Sequence, residues 1–305
     1  KISVIVGVYM GGFFGIVSSS ENISSYSNQI KSALASINHR GPDQKDFFFG
    51  KTFAIGCVRL SIIDLSIQGN QPMVAKNEGI ILGYNGEIYN YKEIRNTLVS
   101  KGYKFTGFSD TEVLKYSFLE WGNDCVNYLR GMFSFIIWNE KKKELSAFVD
   151  RFGIKPLFYI KYNNLLILSS EIKAIIDFLP SEKKINEKSI FKFISRGWAD
   201  NNEETFFKNI KRLPASSLLS FSSNQIKIEK YWELKFEKKV NFDKKNFSKI
   251  FKENISLHLN SDVPIATTLS GGLDSSSITS ISSDLLETYK SPHAFSITPP
   301  QTVDE

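Results

Sequence analysis

The sequence predicts an α+β protein of packed sheets flanked by helices, followed by the opening of a parallel α/β sheet. Short apolar runs separated by turn signals recur at Phe53–Ile63, Gly79–Tyr84, Gly131–Trp138, Glu144–Val149, Leu157–Ile160 and Leu165–Leu168, with few helical periods between them. After about residue 240 the pattern becomes strand, glycine turn, helix, strand, which is a βαβ unit.

The elements follow in order. Val4–Val17 is apolar throughout but only 14 residues long and holds Gly7, Gly11, Gly12 and Gly15. It is too short to span a bilayer, and its glycines suit a buried strand. Lys1 ahead of it and Ser18-Ser19-Ser20 behind it are signal-peptide-like flanks, but no A-x-A cleavage pattern follows. Ile30, Ala33, Leu34 and Ile37 predict a helix over Asn28–Asn38, stopped by Gly41 and Pro42. Ser109-Asp110-Thr111-Glu112 is a capping box opening a second helix, with Leu114, Phe118 and Trp121 on one face and Gly122 at its end. Val263–Leu269 reads as a buried strand and Ser270-Gly271-Gly272 as a sharp turn. A helix from Ser275 with Ile278, Ile281 and Leu285 on one face follows, then a strand at His293–Ile297.

The 305 residues suggest about two domains. Hydrophobic residues at 42% and charged residues at 23% are ordinary for a globular protein and exclude a disordered or collagen-like chain. Lys+Arg 38 against Asp+Glu 32 leaves +6. The lysines lie in scattered short runs, such as Lys141-Lys142-Lys143, which read as solvated faces rather than a nucleic-acid footprint. Cys57 and Cys125 make neither a metal spacing nor a disulfide framework and fit a reducing, cytoplasmic compartment. No partner among nucleic acids or membranes is expected.

Ser270-Gly271-Gly272-Leu273-Asp274-Ser275-Ser276 is the sharpest motif. Glycines let a phosphate approach the backbone, and amides at a helix start, with the helix dipole, favour the anion. Ser270, Ser275 and Ser276 add hydroxyl donors, and Asp274 suits such a site if Mg²⁺ lies between it and the phosphates. There is no GK[ST], so it is no Walker loop. A plain glycine turn with a serine cap has the same spacing.

This motif resembles the pyrophosphate-binding loop of the glutamine-dependent asparagine synthetases. Arg40-Gly41-Pro42-Asp43, Arg59-Leu60-Ser61-Ile62-Ile63-Asp64, Gln71-Pro72-Met73, Asn85-Gly86-Glu87-Ile88-Tyr89-Asn90, Ser109-Asp110-Thr111-Glu112, Asp150 to Leu157 and Ser170-Glu171-Ile172-Lys173-Ala174 follow in that family's order. The resemblance covers about residues 10 to 305 and implies two parts. Residues 10–205 would be an αββα N-terminal-nucleophile hydrolase domain that releases ammonia from glutamine, with 1–9 an extra N-terminal segment. Residues 240–305 would be the start of a truncated α/β ATP pyrophosphatase domain that adenylates aspartate, so that ammonia displaces AMP to give asparagine.

Carried over by position, Arg59, Leu60, Ser61, Ile62, Ile63, Asn85, Gly86, Glu87 and Asp110 would line the glutamine pocket. The chemistry suits: Arg59 can hold an α-carboxylate and Asp110 with Glu87 an α-ammonium, while Asn85 and the Gly86 amide would form the oxyanion hole. Bland readings compete, namely a surface ion pair, a first-turn helix charge and a hairpin turn. Leu269 and Ile297 would join Ser270–Ser276 in binding ATP, and Asp274 would hold Mg²⁺ on the pyrophosphate. Glutamine, ATP and aspartate are the small-molecule partners implied, and a homodimer is common in the family.

The chain departs from the family where the nucleophilic cysteine is expected, since Met10-Gly11-Gly12 places Gly11 there. Glycine offers no side chain to attack an amide. Cys57, inside an apolar run, reads as a core residue. Loss of glutaminase is therefore expected, and the short second part predicts no asparagine formation by the chain alone. Two alternatives are a cysteine-less relative like the β-lactam synthetases and a non-catalytic glutamine-binding module.

Overall fold

The computed structural model describes the backbone of residues 3–4 and residues 11–199, 202–235, 241–286 and 293–296. Two compact units emerge, a larger one of 11–61 with 66–234, and a smaller one of 62–65 with the described residues of 3–4 and 235–296.

The chain opens with β1 (Ser3–Val4), which belongs to the smaller unit. The larger unit then runs β2 (Gly12–Ser18), α1 (Ser27–Ala35), β3 (Gln44–Phe49), β4 (Phe53–Arg59), β5 (Met73–Ala75), β6 (Ile80–Ile88), α2 (Tyr91–Ser100), α3 (Asp110–Trp121), β7 (Gly131–Asn139) and β8 (Glu144–Val149). It continues through β9 (Phe158–Tyr162), β10 (Leu165–Ser169), α4 (Ile172–Phe178), α5 (Glu187–Arg196), β11 (Lys211–Arg212), β12 (Ser217–Ser222) and β13 (Gln225–Lys230). The smaller unit adds α6 (Lys244–His258), β14 (Ile265–Thr268), α7 (Leu273–Leu285) and β15 (His293–Phe295).

In the larger unit two antiparallel sheets, β11-β9-β10-β2-β4-β3 and β13-β12-β8-β7-β6-β5, share one core. Strand period explains the layering. In β2, Phe13 and Val17 enter the core between the sheets, while Phe14 and Ile16 join the cluster under α1 and α4. Both faces of β2 and β4 are covered, so these strands read as continuous apolar runs rather than alternating ones. Phe53 of one sheet stacks on Trp138 of the other, ring centroids 5.3 Å apart, a pairing worth about 0.5–1.5 kcal/mol beyond its burial. On the outer face of the second sheet, the Tyr84 hydroxyl of β6 bonds Asp110 of α3 at 2.8 Å. Helices outside and sheets inside make the αββα sandwich.

The helix expected at Asn28–Asn38 forms as α1 with Ile30, Ala33, Leu34 and Ile37 buried, though it ends at Ala35. The capping box is half made. The Ser109 hydroxyl accepts the Glu112 N–H at 3.1 Å, but the Glu112 carboxylate turns to the amides of Thr106 and Gly107 instead of closing the box. Val113, Leu114 and Ser117 form the buried face of α3, and Phe118 and Trp121 are only half-buried. The strand expected at Phe53–Ile63 ends at Arg59, because Ile62–Leu65 depart into the smaller unit. In that unit β1, β14 and β15 pair parallel, with Ala266 opposite both Val4 and His293. The βαβ order is as expected, but β14 spans only Ile265–Thr268 with Ala266 and Thr267 buried, α7 begins at Leu273 rather than Ser275, and the last expected residue, Ile297, lies outside the described residues.

Candidate functional site

Gly11 is buried just ahead of β2, and Arg40 holds both its peptide groups. Its N–H donates to the Arg40 carbonyl at 3.0 Å, and its carbonyl accepts from Arg40 Nε at 2.7 Å. Its φ of +115° and the Val58 carbonyl, 2.9 Å from where a Cβ would sit, make the position one that side chains fit poorly. Arg40 is fixed in turn by Glu171 at 2.9 Å, which His39 and Lys173 also bind. Burial opposes the Glu171 charge, but the hydrogen bonds from Arg40, Lys173 and His39 hold the carboxyl below its usual range.

β6 carries Asn85-Gly86-Glu87. Asn85 is 0% exposed, and neither its Oδ1 nor its Nδ2 has a partner among the described residues. Two orphaned amide atoms in a protein interior cost several kcal/mol, on the order of 1–3 each, unless a ligand completes them. Gly86 is required sterically, since a Cβ there would lie 2.1 Å from the Met132 carbonyl of the neighbouring strand. Burial and Asp110 push the Glu87 carboxyl up to about 8, against the pull of Lys155.

Asp110 opens α3 and is buried, its Oδ2 accepting from the Tyr84 hydroxyl at 2.8 Å and the Ile88 N–H at 3.1 Å. Burial raises its pKa despite those bonds and the nearby Arg59 guanidinium. Arg59 ends β4, and its guanidinium packs under the 66–70 turn, bonding the Ser66 carbonyl at 3.3 Å and Asn70 Oδ1 at 3.4 Å. Ser61 is pinned by its N–H to Asp43 at 2.9 Å. In the larger unit Gly11 thus lies against the Arg59 backbone, the Arg59 guanidinium acts on Asp110 and Asp110 on Glu87, and Asn85 and Gly86 precede Glu87 on β6. Leu60 and Ser61 follow Arg59 and are half-buried. Ile62 and Ile63, from the same motif, belong to the smaller unit, where the Asp262 N–H bonds the Ile62 carbonyl at 3.0 Å.

The smaller unit places Leu269 just after β14, its N–H bonded to the Phe295 carbonyl at 2.8 Å and its carbonyl accepting from Ser296 Oγ at 2.6 Å. Ser270 Oγ and Ser275 Oγ lie 3.1 Å apart across the turn, and Gly272 caps α7. Asp274 and Ser276 face solvent in the first turn. Amides at the start of a thirteen-residue helix, three hydroxyls and one carboxylate fit a pyrophosphate carrying a cation, because Mg²⁺ commonly takes one or two carboxylates and completes its shell with phosphate and water. Among the described residues no group of three or more His, Cys, Asp or Glu side chains is arranged for a metal.

Cys57 and Cys125 are both buried, and burial raises both thiols. Neither can stand in for a thiolate nucleophile. Arg40, Glu171 and Lys155 have no role assigned from sequence, although each sits in a motif that carried the resemblance; a cation inside an apolar run, as in Gly153-Ile154-Lys155-Pro156-Leu157, is the signal that marks Lys155. Among the described residues no helix is long and apolar enough to cross a membrane.

Fold and site together define a glutamine amidotransferase domain of the N-terminal-nucleophile type, followed along the chain by a parallel α/β unit with a glycine turn ahead of α7. The glutamine amidotransferase domain family matches residues 10–232 and the asparagine synthase family residues 246–305. "Asparagine synthetase [glutamine-hydrolyzing] 3" of Bacillus subtilis is 37% identical over 86% of the chain and 44% of its own length. A putative asparagine synthetase of Methanocaldococcus jannaschii is 33% identical over 94% of the chain and 59% of its own length. Glutamine phosphoribosylpyrophosphate amidotransferase of Bacillus subtilis shares the fold, with a TM-score of 0.54 at 19% identity over 72% of this chain and 49% of that one. The chain belongs to the glutamine-hydrolysing asparagine synthetase family. It spans about half the length of the curated relatives it matches.

Proposed function

We propose that the larger unit binds glutamine without hydrolysing it, and that the whole protein amidates aspartate to asparagine at the expense of ATP, releasing AMP and pyrophosphate. The orphaned Asn85 amide carries the first part, because a buried pair of unpaired polar atoms beside Glu87 and Asp110 suits a small polar ligand. In this reading Arg59 takes the α-carboxylate, Glu87 and Asp110 take the α-ammonium, and Asn85 with the Gly86 amide takes the side-chain carbonyl, as an oxyanion hole would. Gly11 supplies no nucleophile, so the amide bond stays intact. Leu269, Ser270, Gly271, Gly272, Ser275 and Ser276 would hold the nucleotide phosphates, and Asp274 a Mg²⁺ that offsets their charge.

Two assays test this. Calorimetry with glutamine is expected to show one site per chain, and incubation with glutamine is expected to release no glutamate. Glutamate above a no-protein blank overturns the loss of hydrolysis, and absence of binding overturns the pocket. For the whole protein, aspartate, ATP and ammonia should give AMP and asparagine, and glutamine should not replace ammonia.

A further inference from the structure

Lys155 is a buried cation close to the pocket residue Glu87. It is 1% exposed and follows β8 in a tight turn organised by Asp150. The Asp150 carboxylate accepts the N–H groups of Phe152, Ile154 and Lys155 at 3.0–3.1 Å, and that of Phe133 at 3.1 Å. Phe133 is the cross-strand partner of Gly86. On the other side of Lys155, the Pro156 carbonyl accepts from Ser134 Oγ at 3.4 Å, and Ser134 is the partner of Asn85. Lys155 is therefore bracketed by two anchors on β7 whose ladder partners are the pocket residues Asn85 and Gly86.

We propose that Lys155 is a positioning residue of the amino-acid pocket, a buried ammonium behind β6 that keeps Glu87 available to an incoming α-ammonium. This rests on the glutamine-binding reading above. Glu87 faces Asp110 from α3, Tyr89 from the turn after β6 and Lys155 from the Asp150 turn. Lys155 faces Glu87, Asp150 and Arg40. Two carboxyls close together cannot both ionise cheaply in a buried site, and Lys155 is the cation within reach of Glu87 that opposes Asp110 there. Arg40 serves Gly11 and Glu171 instead.

The test is calorimetric titration of glutamine from pH 6 to 9 on the wild-type chain, Lys155→Met and Lys155→Arg, each checked for folding by circular dichroism. Lys155→Met is expected to move the rise of affinity with pH upward by about one unit and to weaken binding about tenfold near pH 7.5. Lys155→Arg keeps the charge and is expected to bind within about threefold of wild type, with the wild-type pH midpoint. Wild-type affinity and pH profile in a folded Lys155→Met overturn the proposal and leave the pocket reading standing. Should Lys155→Met not fold, Lys155→Arg decides, a displaced pH midpoint or binding weakened tenfold counting against the proposal. No glutamine binding by the wild-type chain at any pH removes the pocket reading and this inference together.

Discussion

Burial and the neighbouring Asp110 push Glu87 up to about 8, so in the empty pocket this carboxyl holds a proton at neutral pH. An α-ammonium pairs only with the ionised form. Binding must then expel the proton, and affinity for glutamine is expected to rise with pH toward about 8 and to fall above it, where burial and Arg40 strip the Lys155 charge and the ligand's own α-ammonium begins to deprotonate. Calorimetry near pH 7 in buffers of different ionisation enthalpy should report the release of up to one proton per glutamine. Glu87→Gln removes both the charge and the titration, so it is expected to flatten this profile and weaken binding at pH 8.5 by about tenfold or more, the range for a hydrogen bond to a charged group. A steep profile retained in Glu87→Gln would assign the proton to Asp110, whose burial raises it in the same direction. Gly11 is the counterweight at this scale: its φ of +115° and the nearby Val58 carbonyl suit a residue without a side chain, while the groups that would hold a substrate around it are kept.

The Asp150 turn shows how one side chain holds an element. Its carboxylate satisfies four backbone N–H groups, those of Phe133, Phe152, Ile154 and Lys155, at 3.0–3.1 Å, and the residue is fully buried. Asp150→Ala strands those donors and is expected to lower unfolding free energy by about 3–5 kcal/mol in a urea melt. Each carboxylate oxygen accepts two of these N–H groups, so Asp150→Asn keeps two of the four bonds and turns its Nδ2 donors onto the other two N–H groups; it is expected to recover little of the loss. Near-wild-type stability in Asp150→Asn would count against loss of the acceptors as the cause. The sequence made some elements legible and hid others for physical reasons. α1 shows because Ile30, Ala33, Leu34 and Ile37 keep a helical period, and β2 and β4 show because both their faces are covered. β3 hides because it is an edge strand that begins Gln44-Lys45-Asp46, whereas α5 is legible from Ile190, Phe191, Phe193 and Ile194 at helical spacing between Asn186 and Gly197, even though much of that apolar face stays exposed. In the site, Asn85, Glu87 and Asp110 are readable through the family motif. Lys155 needs the β6–β7 register before its place behind Asn85 and Gly86 can be seen.

At the scale of the molecule the two units differ in how much they bury. The larger unit has fully buried residues from both sheets in one core, including Phe13, Phe53, Trp138, Leu145, Leu166 and Leu219, each side chain worth roughly 1.5–3 kcal/mol when taken from water. In the smaller unit, α6 buries Ile255 and α7 buries Ser282, while Phe242, Phe247, Ile250, Leu273, Ile278 and Leu285 remain exposed. Few buried apolar contacts mean a low free energy of local opening. Hydrogen exchange followed by mass spectrometry is therefore expected to separate the units. Peptides covering β2, β4, β7 and β8 should stay protected for hours, and those covering α6 and α7 should exchange within minutes. Adding glutamine should slow exchange further in β6 and at the start of α3, where Asn85, Glu87 and Asp110 lie, and leave α6 and α7 unchanged. Equal protection in both units would mean that the exposed side chains of α6 and α7 are covered in solution. Protection by glutamine confined to α6 and α7 would place the amino-acid site outside the pocket built around Asn85.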